Sequence, residues 1–125
     1  MNLNQITIPS LNVEKATEFY NTLGLKLIVD ALPRYVRFEC IDGDATFSIH
    51  LVDTISNENG IAIYFEVTDV EKKVSELKAK GIVFETESED QSWLWKEAKL
   101  KDLDGNQIII FHAGKNRKNP PWRIS

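Results

Sequence analysis

The sequence has little of what would assign it to several large protein classes. It contains one cysteine, Cys40, so no disulfide can close within the chain, and a reducing cytoplasm is the expected compartment. No apolar run is long enough to span a bilayer, and Asn2, Asn4 and Gln5 interrupt the amino terminus where a signal peptide needs a continuous hydrophobic stretch. Positive charge is not in excess. With 15 Lys and Arg against 19 Asp and Glu, the net charge is -4, which argues against a general nucleic-acid binder and offers no membrane cue. The basic residues that do cluster, from Lys115 to Arg123, make one short tail, and such tails are more often solvated or packed on a neighbour than used to grip phosphates.

What remains is a chain of 125 residues, 42% of them hydrophobic, which is enough for a core. Its clearest organising feature is EAKLKDLDGNQIIIFH, Glu97 to His112, which predicts strand, tight turn at Asp104-Gly105, strand. An earlier stretch, Arg37 to Leu51, repeats the design around Asp42-Gly43. Ahead of it, Leu3 to Ile8 alternates as a strand, Pro9 is expected to end its pairing, and Ser10 or Asn12 can cap a helix. Val13, Ala16, Phe19, Tyr20 and Leu23 form the buried stripe of that helix, Gly24 stops it, and Leu25 to Val29 follows as a strand.

The second half restarts at Gly60 with a strand over Ile61 to Val67. Thr68 or Asp69 caps a helix whose stripe is Val70, Val74 and Leu77, and Gly81 ends it before a short strand over Ile82 to Glu85. Asn12 and Asp69 each precede Val-Glu-Lys, and Asn12 to Asp69 spans the same 57 positions as Gly24 to Gly81. A shared cap, tripeptide and terminal glycine in one register predict a duplication. The expected fold is therefore α+β: two tandem βαβββ units, residues 1–57 and 58–114, with a tail over 115–125. Together they would form a curved, cup-like mixed sheet with the helices on its outer face.

Strand parity divides the side chains into two faces. One is aliphatic: Ile6, Ile8, Val36, Phe38, Cys40, Phe47, Ile49, Ile63, Phe65, Ala98, Leu100, Ile108 and Ile110. The other mixes polar groups with aromatics: Gln5, Tyr35, Arg37, Glu39, Ser48, His50, Tyr64, Glu66, Trp95, Glu97, Ile109 and Phe111. Antiparallel sheets often simply wet one face, but this much aromatic surface beside a few convergent polar groups is the composition of a small-molecule cavity. Tyr35, Arg37, Glu39, Ser48, Tyr64, Trp95 and Phe111 are the expected ligand-binding residues. His50 and Glu97 are the candidates for catalysis, because imidazole and carboxylate move protons near neutral pH. Cys40, on the aliphatic face, is expected to be inert. Trp93 and Trp95 alternate, so both can face the cup or cover a dimer contact, and Pro120-Pro121-Trp122 is expected to pack the tail against the domain or a partner subunit.

The duplicated βαβββ pattern, LNQITIPSLNVEKATEFYNTLGLKL and KDLDGNQIIIF together resemble the vicinal oxygen chelate superfamily of glyoxalase I, extradiol dioxygenases, fosfomycin-resistance enzymes and bleomycin-resistance binding proteins. The resemblance covers nearly the whole chain and points to a fold rather than to one reaction. It implies a divalent metal held from the first and last strand of each unit. These positions fall on Gln5, on Ser48 or His50, on Ala62 and on Ile109. Alanine and isoleucine donate no electrons, so the usual ligand set is incomplete. Gln5 and His50, with Glu66 and Glu97 as substitute donors, are the remaining candidates for nickel, manganese, iron or zinc.

Two function classes follow. In one, the protein binds a flat or amphipathic small molecule among the aromatics, with Glu39, Glu66 and Glu97 favouring a cation, and uses no metal. In the other, a metal at Gln5, His50 and the glutamates supports a lyase, isomerase or dioxygenase reaction unlike typical glyoxalase I. Fused two-unit members of this fold commonly pair, so a homodimer is expected.

Overall fold

A computed structural model of the chain describes residues 1–56 and 61–124. The expected restart at Gly60 and the 57/58 boundary lie outside the described residues. Two βαβββ units follow one another. The first is β1 (Gln5–Ser10), α1 (Val13–Leu23), β2 (Lys26–Ala31), β3 (Tyr35–Glu39) and β4 (Thr46–Leu51). The second is β5 (Ala62–Glu66), α2 (Val70–Ala79), β6 (Glu89–Asp90), β7 (Lys96–Lys101) and β8 (Gln107–His112), followed by a 3-10 turn at Gly114–Asn116. Each unit makes its own four-stranded mixed sheet, in the orders β1-β4-β3-β2 and β5-β8-β7-β6. The outer pairs β1/β4 and β5/β8 are parallel and the rest antiparallel. By compactness, unit 1 is Met1–Asn59 with Asp102–Gly105, and unit 2 is Gly60–Lys101 with Asn106–Ser125.

The helices start and stop as the repeated signals dictate. Of the alternative caps, Asn12 and Asp69 are used: their Oδ1 atoms accept from the N–H groups of Lys15 at 3.1 Å and Lys72 at 3.0 Å. Ser10 accepts instead from the Asn12 N–H at 3.0 Å. Gly24 and Gly81 close the helices with φ of 111° and 91°, where a Cβ would be strained. Helix α1 lays Val13, Ala16, Tyr20 and Leu23 on β3 and β4, against Val36, Phe38, Phe47 and Ile49. Helix α2 packs on β7 and β8, where Val70, Val74 and Ala98 cluster with Val67 and Phe84. The registers confirm the aliphatic face, since Ile8, Ile49 and Val36 lie side by side, as do Ile63, Ile108 and Leu100.

The structure corrects two element boundaries. Pro9 does not end pairing: β1 continues to Ser10, with Pro9 beside His50. As β1 is an edge strand, a residue without an N–H is tolerated there. Ile82–Glu85 is not a strand. The Glu85 and Thr86 N–H groups both donate to the Lys99 carbonyl, at 2.7 and 3.3 Å, and the Lys99 N–H turns to the Thr86 hydroxyl at 3.0 Å. A side chain thus takes the place of a ladder carbonyl, and regular pairing resumes only at Glu89–Asp90.

Candidate functional site

In unit 2, the polar-aromatic face of the sheet centres on Glu97. It stands on β7 opposite Phe111 of β8, and Phe111 in turn lies beside Glu66 of β5. The rings of Trp95 and Phe111 stack with centroids 4.8 Å apart, and Tyr64 meets both edge-on at 5.8 and 5.4 Å. Glu97 is 2% exposed, although nothing in its parity required more than a half-buried position. Its Oε2 accepts from the Trp93 indole N–H at 2.8 Å, the hydrogen bond it receives among the described residues. Burial, and then the Glu97 charge, pushes the Tyr64 hydroxyl above its ordinary value.

Trp93 and Trp95 do not act alike. Trp95 belongs to the stack and donates to the Asn116 carbonyl at 3.3 Å. Trp93 sits in a tight turn closed by hydrogen bonds from the Gln91 N–H to the Trp95 carbonyl and from the Leu94 N–H to the Gln91 carbonyl. Within it Leu94 holds φ at 69°, an unusual value for a branched residue. This turn points the indole at Glu97, and no periodic pattern in the sequence signals it.

Glu66 holds the chain rather than an open site. Its Oε2 accepts from the Ala113 and Gly114 N–H groups at 2.7 and 2.9 Å, with His112 at 3.7 Å and Arg117 at 3.8 Å from the carboxylate. Burial acts to raise the Glu66 carboxyl, but the two backbone donors, with His112 and Arg117 beside it, outweigh burial and hold it below the ordinary range. His112 donates through Nδ1 to the Val67 carbonyl at 2.9 Å. In the tail, Pro120 is half-buried and Trp122 is 57% exposed.

In unit 1, Tyr35, Arg37 and Ser48 come together. Arg37 Nε donates to the Tyr35 hydroxyl at 2.9 Å, and that hydroxyl shares a 2.7 Å hydrogen bond with the fully buried Ser48. His50 lies opposite Tyr35, exposed, and no described residue hydrogen-bonds its imidazole. Glu39 is engaged by Lys26 at 3.6 Å, and Gln5 accepts from the Thr46 hydroxyl at 2.8 Å. Cys40 is half-buried, with burial pushing its thiol up.

The two registers also align the units with each other. Gln5 pairs with Thr46 as Ala62 pairs with Gln107, so Ser48 corresponds to Ile109 and His50 to Phe111. By the same alignment Tyr35 corresponds to Glu97. Among the described residues, no three His, Cys, Asp or Glu side chains are grouped as a metal shell. With Ala62 and Ile109 at two of the positions the resemblance implies, the residues present do not fit the four-donor site of the superfamily.

The family description "Glyoxalase/Bleomycin resistance protein/Dioxygenase superfamily" matches residues 2–110. The chain belongs to this superfamily. Solved structures agree on the fold. A superfamily member from Sphaerobacter thermophilus is 24% identical, with a TM-score of 0.72 over 90% of this chain and 97% of its own. One from Nocardioides, 17% identical, reaches 0.79 over 100% of this chain and 90% of its own. A bleomycin-binding protein complexed with bleomycin, 18% identical, gives 0.71 over 90% and 98%. No curated protein matches the sequence. At these identities the structural likeness of this superfamily member to its relatives is one of fold. No described helix is long and apolar enough to cross a membrane.

Proposed function

We propose that this superfamily member is a small-molecule binding protein that holds a flat, amphipathic cation against Tyr64, Trp95 and Phe111, with Glu97 as its counter-charge. The observation that carries this reading is the setting of Glu97, a carboxylate 2% exposed, beside three mutually packed rings, with a neutral indole as its donor. A buried carboxylate gains most from a cation, and ring faces attract the same charge. A relative of the same fold is described as complexed with bleomycin, which is consistent with a binding role. The metal-dependent reading has less support, because Glu66 is occupied by two backbone N–H groups and Ile109 stands where a donor would be needed.

The test uses naphthylmethylammonium and its neutral alcohol analogue as probes, followed by tryptophan fluorescence. The cation is expected to quench Trp93 and Trp95 saturably, and Glu97→Gln to weaken it by about tenfold or more, the worth of a hydrogen bond to a charged group. Equal binding of the alcohol, or undiminished binding by Glu97→Gln, would sink the proposal. It extends to a homodimer in a reducing cytoplasm. Lone Cys40 supports the compartment, and Ile28 and Val29 on edge strand β2, 45% and 36% exposed, support pairing. Light scattering that gives a monomer across the micromolar range would remove the dimer.

A further inference from the structure

Unit 1 carries a charge arrangement opposite to that around Glu97. Arg37, on β3, is half-buried. Its Nε donates to the Tyr35 hydroxyl at 2.9 Å, and its guanidinium carbon lies 5.5 Å from the centre of the Tyr35 ring, so the side chain is held in one orientation. The acid nearest along the same strand face, Glu39, is paired with Lys26. Among the described residues no carboxylate pairs with Arg37, and its two Nη groups make no hydrogen bond. Those groups form the edge of the fork that grips a carboxylate through two parallel bonds. A partly desolvated guanidinium without a counter-ion is costly, and an anion relieves that cost.

Tyr35 adds a second donor. A phenol oxygen offers two lone pairs and one proton. When the buried Ser48 donates to it, Arg37 and Ser48 occupy both lone pairs, and the Tyr35 proton is left for an incoming oxygen. His50, opposite Tyr35 on β4 and exposed, supplies a further donor on the same face.

We propose that Arg37, Tyr35 and His50 of unit 1 form an anion site that takes the carboxylate of a small organic acid. The inference is independent of the cation reading, since it rests on other residues in another unit.

The experiment titrates the protein with benzoate and, separately, with inorganic phosphate at fixed pH and ionic strength, following the imidazole proton resonances. With two histidines in the chain, His50 and His112 are separable. Benzoate is expected to shift His50 saturably and leave His112 in place, with no change in tryptophan fluorescence. Arg37→Gln is expected to weaken benzoate by about tenfold or more and Tyr35→Phe by a few-fold. Arg37→Lys keeps the charge but not the fork, so it is also expected to bind several-fold more weakly, and it serves if the glutamine variant does not fold. Equal or unsaturable shifts of both histidines, or full affinity in the arginine variants, would overturn the site. Phosphate binding more tightly than benzoate would overturn its assignment to carboxylates.

Discussion

Tyr20, wholly buried, donates its hydroxyl proton to Asp102 Oδ2 at 2.5 Å, while Asp104 Oδ1 receives the Leu11 N–H at 2.9 Å. These residues come from the two stretches that carried the resemblance to the superfamily, LNQITIPSLNVEKATEFYNTLGLKL and KDLDGNQIIIF, and both contacts lie within unit 1. The motifs are therefore a structural pair, which explains why they mark the fold and are silent about the reaction. Tyr20→Phe is expected to cost roughly 1.5–3 kcal/mol, because it strips a donor from a buried carboxylate. Urea unfolding measures it, and a loss within error would show that Asp102 finds an equivalent partner. Burial, then Asp102, raises the Tyr20 phenol far above its ordinary value of 10.0. A folded value above the unfolded one contributes stability in full below pH 10.0, and that stability falls as the pH rises beyond it, when the unfolded chain's tyrosine ionises first. The alkaline decline should be shallower in Tyr20→Phe; identical slopes would assign it to other groups.

Single elements depend on local hydrogen bonds that can be removed one at a time. Asn12→Ala and Asp69→Ala each delete a side-chain acceptor at a helix start and are expected to cost about 1 kcal/mol apiece in thermal or urea unfolding. Glu66 holds the 3-10 turn after β8. Its carboxyl is depressed in the folded state, so its contribution is present above the ordinary carboxylate value of 4.5 and is lost as the pH falls through the lower folded value. Amide exchange at Ala113 and Gly114 should therefore accelerate, relative to the strand interiors, in Glu66→Ala at neutral pH and in the wild type under acid. Unchanged protection in both would show that the turn is held by other contacts. The Ile82–Glu85 segment teaches the complementary lesson. Its composition suits a strand, yet the Thr86 hydroxyl takes the Lys99 N–H that a ladder would use.

At the scale of the whole molecule, membership in the superfamily does not by itself assign metal chemistry, since Ala62 and Ile109 offer no donor at two of the positions the resemblance implies. Under the binding proposal, nickel, manganese, iron and zinc salts are expected to leave the melting temperature of untagged protein unchanged. A stoichiometric metal that survives dialysis and is lost in His50→Ala would overturn that expectation. The cation and anion proposals also differ at this scale, since one is read by Trp93 and Trp95 and the other by His50.

The sequence by itself determined the duplication, the two helices with their terminal glycines and the split of the long strands into an aliphatic and a mixed face, because helical stripes, terminal glycines and period-two alternation are local properties of the chain. It also bounded the chemistry, since Ala62 and Ile109 have no donor atoms whatever their surroundings. Only the tertiary structure decided which of Ser48 and His50 corresponds to Ile109, because a register shift of two residues leaves parity unchanged. It alone tied Glu66 to the 3-10 turn, turned Trp93 onto Glu97, and left the Arg37 fork without a partner among the described residues. Those outcomes depend on which distant groups meet, and on a turn whose Leu94 takes a backbone angle that no periodic pattern in the sequence announces.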